Sequence, residues 1–231
     1  MTVSKPAVRS AIRLRRRLEL KSRTATESVL LARGFASSTG SWIQSLQAAG
    51  AARPAGFTVA CYLSGATEPP TTAVLDALHA RAVTVLLPVC RPEHRMDWVV
   101  WEPGLAMRRS DYAPVDEPVG DALTTEQLLS EGGPGLDAVL LPATAVDAVG
   151  NRLGQGGGYY DRFLEVLAGI GHRIPTAALV YSAEVLAEKA FPVERFDRPM
   201  DAVISEAGWA AFPLADPSGW FDGSGVRPGS L

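Results

Sequence analysis

The stretch that decides the fold spans residues 137–164 and reads DAVLLPATAVDAVGNRLGQGGGYYDRFL. It begins with a continuous apolar run, which is typical of a strand covered on both faces of a sheet. A glycine-rich loop follows, and residues 159–170 then take up helical spacing. Strand, loop and helix in this order predict a loop at the carboxyl end of a parallel strand, where α/β proteins bind their ligands.

The loop itself has the composition of an anion site. Gly154, Gly156, Gly157 and Gly158 permit positive φ and let backbone N–H groups approach an anion closely. The N-terminus of the following helix adds partial positive charge at the same place. The loop lacks the Gly-Lys-Ser/Thr of a Walker A motif and the spacing of a dinucleotide fingerprint. A glycine-rich surface turn is the alternative reading of the loop alone.

The residues beside the glycines favour a binding loop. Arg152 can neutralise a phosphate, and two adjacent tyrosines, Tyr159 and Tyr160, are costly to expose and suit the edge of a planar ligand. Asp161 falls in the first helical turn, where its carboxylate could hold Mg²⁺ or simply stabilise the helix dipole.

Three further acids are candidates for ligand contacts. Asp201 precedes a predicted strand at 202–205, and Asp197 lies four residues earlier; either could hold a metal or begin a turn. Glu68 follows a strand that ends near Ser64. It could accept hydrogen bonds from a heterocycle or cap the helix that begins near Pro70.

The rest of the chain alternates strands with helices, which predicts a three-layer α/β domain with a mostly parallel sheet and helices on both faces. Further strands are predicted at 57–63, 83–87, 98–102, 175–180 and 202–205, and helices at 70–81 and 124–130. We expect a single domain over residues 1–206, followed by a Gly/Pro-rich, irregular tail over 207–231.

Two helices are predicted ahead of the first strand. For the first, Ser4 is the expected cap, and a stripe of Ala7, Ala11, Leu14 and Leu18 is the expected buried face. Its arginine-rich composition also resembles an organelle transit peptide. The second helix begins with a capping box at residues 24–27, and Gly34 and the cluster at 37–40 are expected to weaken it. A further helical piece that carries Trp42 is expected to end near Gly50.

Composition excludes several classes of protein. The 231 residues carry 22 Lys and Arg against 25 Asp and Glu, a net charge of −3, which gives no general attraction to nucleic acid or anionic membranes. The arginines at 13 and 15–17 are expected to form a solvated helix face. Two cysteines, Cys61 and Cys90, exclude a disulfide-rich secreted scaffold and are expected in the core. We therefore expect a cytoplasmic protein.

The motifs together resemble the 5-formyltetrahydrofolate cyclo-ligase family. Residues 152–161, RLGQGGGYYD, are similar to its signature, and residues 141–150 are similar to the strand and loop before it. Matches continue over about residues 5–206. They include Lys5 with Arg9, Tyr62-Leu-Ser, Glu68 with Thr71, Leu87-Pro-Val89, Met96 with Trp98, Glu117-Pro118 and Asp197 with Asp201.

The resemblance implies a reaction in which ATP and Mg²⁺ convert 5-formyltetrahydrofolate to 5,10-methenyltetrahydrofolate, ADP and phosphate. It implies that Arg152 and Tyr159 are catalytic, that Asp161 and Asp201 hold the metal, and that the fold is similar to the sugar-phosphate isomerase and CoA-transferase scaffold. The implied ATP-binding residues are Lys5, Arg9, Arg152, Leu153, Gly154, Gln155, Gly156, Gly157, Gly158, Tyr159 and Tyr160. The implied folate-binding residues are Leu63, Glu68, Gln155, Gly156, Gly157, Gly158 and Tyr159.

Two other functions remain open at this point. A non-catalytic relative could bind nucleotide or folate on the same scaffold, and an isomerase or CoA-transferase-like enzyme would use a catalytic carboxylate without ATP. The expected partner is 5-formyltetrahydrofolate, with or without a polyglutamate tail. We expect a monomer that binds neither nucleic acid nor membranes.

Overall fold

The computed structural model describes residues 4–51, 56–170, 173–194 and 197–212, with only the backbone of Ala51. The helices are α1 (Lys5–Ser22), α2 (Ala25–Leu46), α3 (Thr72–His79), α4 (Thr125–Leu129) and α5 (Tyr159–Ala168). The strands are β1 (Phe57–Ala60), β2 (Val83–Cys90), β3 (Met96–Val100), β4 (Met107–Arg109), β5 (Asp116–Pro118), β6 (Leu123–Thr124), β7 (Ala138–Pro142), β8 (Ala145–Asp147), β9 (Arg152–Leu153), β10 (Thr176–Leu179), β11 (Val185–Leu186), β12 (Ala202–Ser205) and β13 (Gly208–Ala211). None of the helices in these residues is long and apolar enough to cross a bilayer.

The central sheet has eight strands in the order β13-β12-β10-β7-β1-β2-β3-β6. The five strands from β12 to β2 are parallel to their neighbours, whereas β13, β3 and β6 are antiparallel additions at the two edges. Every residue of β1, β7 and β10 is buried, because helices cover both faces. The predicted three-layer α/β fold is therefore confirmed.

Two apolar clusters fill the space on either side of the sheet. On one face, Phe35 and Trp42 of α2 and Leu75 of α3 pack against alternate residues of the strands. On the other, Leu128 of α4 and Phe163 of α5 pack against the remaining residues. A third, smaller cluster joins α1 to a three-stranded sheet of order β11-β8-β9. The small sheet holds the glycine-rich loop against α1.

Helix α1 begins where the sequence predicts, but it docks through a different face. Ser4 caps it by accepting a hydrogen bond from Ala7 N–H. The expected stripe is wrong, since Leu14 and Leu18 are more than half exposed. The buried residues are Ile12 and Arg16, so the expectation that Arg16 lies on a solvated face is also wrong. A buried arginine requires ion-pair partners, which the sequence pattern of α1 does not identify.

Helix α2 runs through both glycines that were expected to weaken it. Its capping box at residues 24–27 is present as predicted. A Cβ on Gly34 would lie 2.5 Å from the carbonyl oxygen of Glu206, and one on Gly40 would lie 2.6 Å from the Arg81 guanidinium. These glycines therefore allow close packing of the helix, and tertiary contacts outweigh their low helix propensity.

The sheet extends beyond the expected domain end. Strand β13 pairs with β12, Trp209 packs against the core, and Phe212 is buried. These residues differ from the irregular tail expected to start at position 207. Residues 213–231 lie outside the described residues. Cys61 and Cys90 are both buried as free thiols, as expected.

Candidate active site

The glycine-rich loop connects β9 to α5 at the carboxyl end of β7. Gly156 and Gly158 have φ of +97° and +78°, which side chains rarely adopt, and Gly158 is the N-cap of α5. A Cβ on Gly154 would lie 2.9 Å from Arg152 Nη1, and one on Gly157 would lie 3.7 Å from the Tyr159 ring. The backbone can therefore wrap closely around a ligand at the start of α5.

Arg152 lies beneath this loop with a buried side chain. Its Nη1 donates to the carbonyl oxygen of Pro142 at 3.1 Å, and its Nη2 pairs with the carboxylate of Asp161. Its Nε has no hydrogen-bond partner among the described residues. Burial lowers the pKa of the guanidinium, and the nearby Asp161 carboxylate opposes that shift. Because a buried N–H is costly to leave unpaired, this atom is a candidate donor to a ligand oxygen.

Helix α1 forms the opposite wall of a cleft of about 440 Å³. Lys5 Nζ lies 2.7 Å from a carboxylate oxygen of Glu194 and 2.7 Å from one of Asp197. Burial disfavours its charge, but the hydrogen bonds that Lys5 donates to these two carboxylates, together with their negative charge, outweigh that effect and raise the pKa of Lys5. Arg9 Nε donates to the carbonyl oxygen of Gly154 at 2.8 Å. The cleft thus gathers Lys5, Arg9 and Arg152 around one loop.

A second group of polar residues adjoins the loop. Gln155 Nε2 donates to Glu68 Oε1 at 3.0 Å, and Gly65 N–H donates to Glu68 Oε2 at 2.8 Å. Leu63 packs against the adjacent core cluster. The structure therefore brings Glu68 and Gln155 together, although 87 positions separate them in the chain.

Two buried hydroxyl groups near Glu68 have no partner in the described part of the chain. They belong to Tyr62 and Tyr160. Burial raises the pKa of both phenols well above their usual value, and the negative charge of Glu68 adds to the effect. Both hydroxyls therefore stay protonated at neutral pH and can donate to a polar ligand.

Tyr159, the first residue of α5, lies beside His94, a residue that the sequence does not identify as part of the site. Its hydroxyl donates to the carbonyl oxygen of Tyr112 at 3.3 Å, and burial raises its pKa. The His94 ring packs edge-on against Tyr159, with the ring centroids 5.3 Å apart. A Cβ on Gly158 would lie 3.6 Å from that imidazole. No sequence spacing connects His94 to the loop, so only the fold reveals this contact.

The acids expected to hold a metal are not brought together. Asp161 lines the cleft, whereas Asp201 lies before β12 and accepts hydrogen bonds from Thr176 N–H and Oγ at 2.8 and 2.9 Å and from Arg173. Thr176 begins β10, which is parallel to β12. Asp201 therefore lies at the amino ends of the parallel strands, opposite the cleft. The expected pairing of Asp161 with Asp201 on one ion is therefore wrong in this structure.

Asp197 takes the place expected for Asp201. It lines the same cleft as Asp161, next to Lys5. Burial raises the pKa of Asp201, despite its contacts with Arg173 and Thr176, as expected of a structural carboxylate. No group of three or more metal-ligating side chains occurs in residues 4–51, 56–170, 173–194 and 197–212.

In a comparison with protein families, residues 1–206 match the 5-formyltetrahydrofolate cyclo-ligase family. The chain belongs to this family. A 5-formyltetrahydrofolate cyclo-ligase from Mycolicibacterium smegmatis is 32% identical over 202 residues, which cover 85% of this chain and 94% of that protein. One from Escherichia coli K12 is 30% identical over 152 residues, covering 64% of this chain and 77% of that protein.

Solved structures of cyclo-ligase relatives share the fold. The 5,10-methenyltetrahydrofolate synthetase of Aquifex aeolicus aligns with a TM-score of 0.62 and 20% identity over 96% of this chain and 97% of that one. The synthetase of Mycoplasma pneumoniae aligns with a TM-score of 0.58 and 19% identity over 88% of this chain and 99% of that one. The loop and cleft of this cyclo-ligase family member therefore sit on the family's α/β scaffold.

Proposed function

We propose that the protein uses MgATP to close 5-formyltetrahydrofolate into 5,10-methenyltetrahydrofolate, releasing ADP and phosphate. The observation that carries this proposal is the cleft, where Lys5, Arg9 and Arg152 surround a glycine loop at a helix N-terminus. Family membership supplies the reaction class. We propose that the protein acts as a monomer. We propose that it acts in the cytoplasm, on folate with or without a polyglutamate tail.

The triphosphate would lie between α1 and the loop. Lys5 and Arg9 would contact its oxygens from one wall, and Arg152 Nε would donate from the other. The backbone of residues 153–160 would enclose the phosphates, because its glycines leave room and the start of α5 adds positive potential. Lys5 would exchange its acidic partners for phosphate oxygens as the nucleotide enters.

The folate would lie on the Glu68 side of the same loop. Glu68 would accept hydrogen bonds from ring N–H groups, and Leu63 would pack against the ring. Gln155, with the glycines at 156–158, would then lie between the two substrates. This arrangement would place the formyl oxygen next to the γ-phosphate, which is the main requirement of phosphoryl transfer.

The cleft also fits a divalent cation. Asp161 and Asp197 offer carboxylate oxygens, the donor type that Mg²⁺ prefers, and phosphate oxygens would complete the ligand set. The ion would neutralise charge on the phosphates. We propose Asp161 with Asp197 as the protein ligands, since Asp201 lies at the opposite ends of the parallel strands.

The proposed reaction has two steps. The formyl oxygen attacks the γ-phosphorus, the bond to the bridging oxygen breaks, and ADP leaves. N10 then attacks the activated formyl carbon, the carbon–oxygen bond breaks, phosphate departs, and N10 loses its proton. Arg152 would stabilise the charge that develops on the transferred phosphoryl group. Tyr159, as a neutral phenol, would donate a hydrogen bond to the leaving phosphate.

An isotope experiment tests this sequence directly. The formyl oxygen of the substrate is labelled with ¹⁸O, and the phosphate released during turnover is analysed by mass spectrometry. We expect one ¹⁸O atom in each phosphate and one phosphate for each methenyl product. Unlabelled phosphate would contradict phosphorylation of the formyl oxygen. Binding of ATP and folate without turnover would instead identify a non-catalytic relative.

A further inference from the structure

A buried ion pair anchors α1 to the body of the protein. Arg16 Nε and Nη2 lie 2.7 and 2.6 Å from the two carboxylate oxygens of Glu184, which is completely buried. The same Nη2 lies 3.0 and 3.3 Å from the carbonyl oxygens of Ala143 and Thr144, just after β7. Arg15 adds a second contact to Glu184 at 3.1 Å. These contacts fix the rotation of α1 about its axis, because the bidentate geometry accepts one orientation.

That rotation decides where the nucleotide-binding side chains point. Arg9 precedes Arg16 by seven residues, or about two helical turns, so both lie on the same face of α1. Lys5 lies one further turn away on the same side. A change in the seating of Arg16 would therefore move Lys5 and Arg9 away from the cleft.

Glu184 is also linked to the folate side of the site. Its Oε2 accepts a hydrogen bond from Tyr181 N–H at 3.1 Å, and the Arg16 guanidinium lies 5.4 Å from the Tyr181 ring centroid. The Tyr181 hydroxyl donates to the carbonyl oxygen of Glu68 at 2.9 Å. One compact unit therefore holds both α1 and the segment that presents Glu68.

We propose that Tyr181 and Glu184 are positioning residues that couple the two substrate sites. Nucleotide bound to Lys5 and Arg9 fixes α1, and the Arg16–Glu184–Tyr181 unit transmits this restraint to Glu68. Each substrate therefore binds more tightly when the other is present, since part of the ordering has already occurred. This inference rests on the proposed function, because it takes the two sides of the cleft as the two substrate sites.

The test measures the Kd of 5-formyltetrahydrofolate by calorimetry, with and without a non-hydrolysable ATP analogue and Mg²⁺. For the unmodified protein, we expect the analogue to tighten folate binding at least about fivefold. Tyr181→Phe keeps the ring and removes the hydrogen bonds of the hydroxyl, to the carbonyl oxygen of Glu68 and to the Arg23 side chain. We expect it to weaken folate binding about three- to tenfold and to reduce the gain from the analogue to less than about twofold.

Two further variants separate positioning from loss of stability. Arg16→Lys keeps the charge but loses the bidentate geometry, so we expect it to weaken binding of the analogue about three- to tenfold and to reduce the coupling. Thr176→Val removes a buried hydrogen bond of a hydroxyl group at the amino end of β10, away from the cleft. We expect it to lower stability and leave the coupling unchanged.

The outcomes distinguish this inference from the proposed function. Full coupling in Tyr181→Phe, or an equal loss of coupling in Thr176→Val, would overturn the role of the unit. Independent binding of the two substrates to an active, unmodified protein would overturn the inference while the proposed function stands. Failure of the unmodified protein to bind folate would overturn both.

Discussion

At the scale of single residues, Arg152 is the side chain whose replacement should damage turnover most selectively. Arg152→Lys keeps a positive charge but loses the planar fork that binds Pro142 and Asp161 and that we propose to bind a phosphate oxygen. We expect kcat to fall about 100-fold, because the charge of the transition state loses an aligned donor. The Kd of 5-formyltetrahydrofolate should change less than about threefold. Steady-state kinetics and calorimetry measure the two effects.

The exposed Arg162 provides a matched control on α5, where it pairs with Glu165 at 3.2 Å. Arg162→Lys should leave both quantities unchanged. A kcat for Arg152→Lys within threefold of the unmodified value would contradict the role given to Arg152.

The acids at opposite ends of the parallel strands should respond differently to amide substitution. Asp161→Asn and Asp197→Asn each remove a carboxylate from the cleft, so half-maximal activity should require about tenfold more Mg²⁺. Asp201→Asn should leave the Mg²⁺ requirement unchanged. It should instead lower the free energy of unfolding by about 1–3 kcal/mol, because Thr176 N–H loses a charged acceptor. A Mg²⁺ titration and urea unfolding measure these effects, and a raised Mg²⁺ requirement in Asp201→Asn would restore its role as a ligand.

These aspartates illustrate what single-residue reasoning can and cannot predict. The position of Asp161 follows from the sequence, because it lies one turn into a helix that starts at the loop. The choice between Asp197 and Asp201 depends on which ends of the parallel strands each one reaches. Three residues of irregular chain separate them, and no periodicity fixes that path. The sequence pattern places Arg16 on a solvated face for a similar reason, since its partner Glu184 lies 168 positions away.

At the scale of secondary structure, the glycines of α2 show that packing outweighs helix propensity. Gly34→Ala should raise the propensity of the helix by up to about 1 kcal/mol. Its new Cβ would, however, meet the carbonyl oxygen of Glu206 at 2.5 Å. We therefore expect net destabilisation of about 1–3 kcal/mol from overpacking, measured by urea unfolding. Arg33→Ala, at an exposed neighbouring position, is the control, and a Gly34→Ala variant more stable than the unmodified protein would refute this explanation.

Helix α1 should act mainly on the nucleotide. Because Lys5 and Arg9 line the cleft from this helix, the double substitution Lys5→Ala/Arg9→Ala should raise the KM for ATP at least about tenfold. The KM for folate, at saturating ATP, should change far less. Arg17→Ala, on the exposed face of the same helix, should leave both constants unchanged. Equal increases in the two KM values for the double variant would show that α1 contributes only to overall stability.

At the scale of the whole molecule, the sheet explains why most of the architecture could be predicted. Continuous apolar runs identify buried parallel strands, and the glycine loop at the end of β7 fixes the side on which ligands bind. The sequence does not reveal the small sheet β11-β8-β9, whose strands of two or three residues lack a detectable pattern. That sheet nevertheless brings α1 to the loop, so the cleft could be predicted only through family resemblance.

The measurement that tests the central claim most directly is the near-ultraviolet absorbance of the methenyl product. The purified protein is mixed with 5-formyltetrahydrofolate, ATP and Mg²⁺ at neutral pH. Each component is also omitted in turn. We predict that the absorbance rises only when the protein, 5-formyltetrahydrofolate, ATP and Mg²⁺ are all present. A rise without ATP, or no rise in the complete mixture, would contradict the assignment of this cleft to ATP-dependent cyclisation.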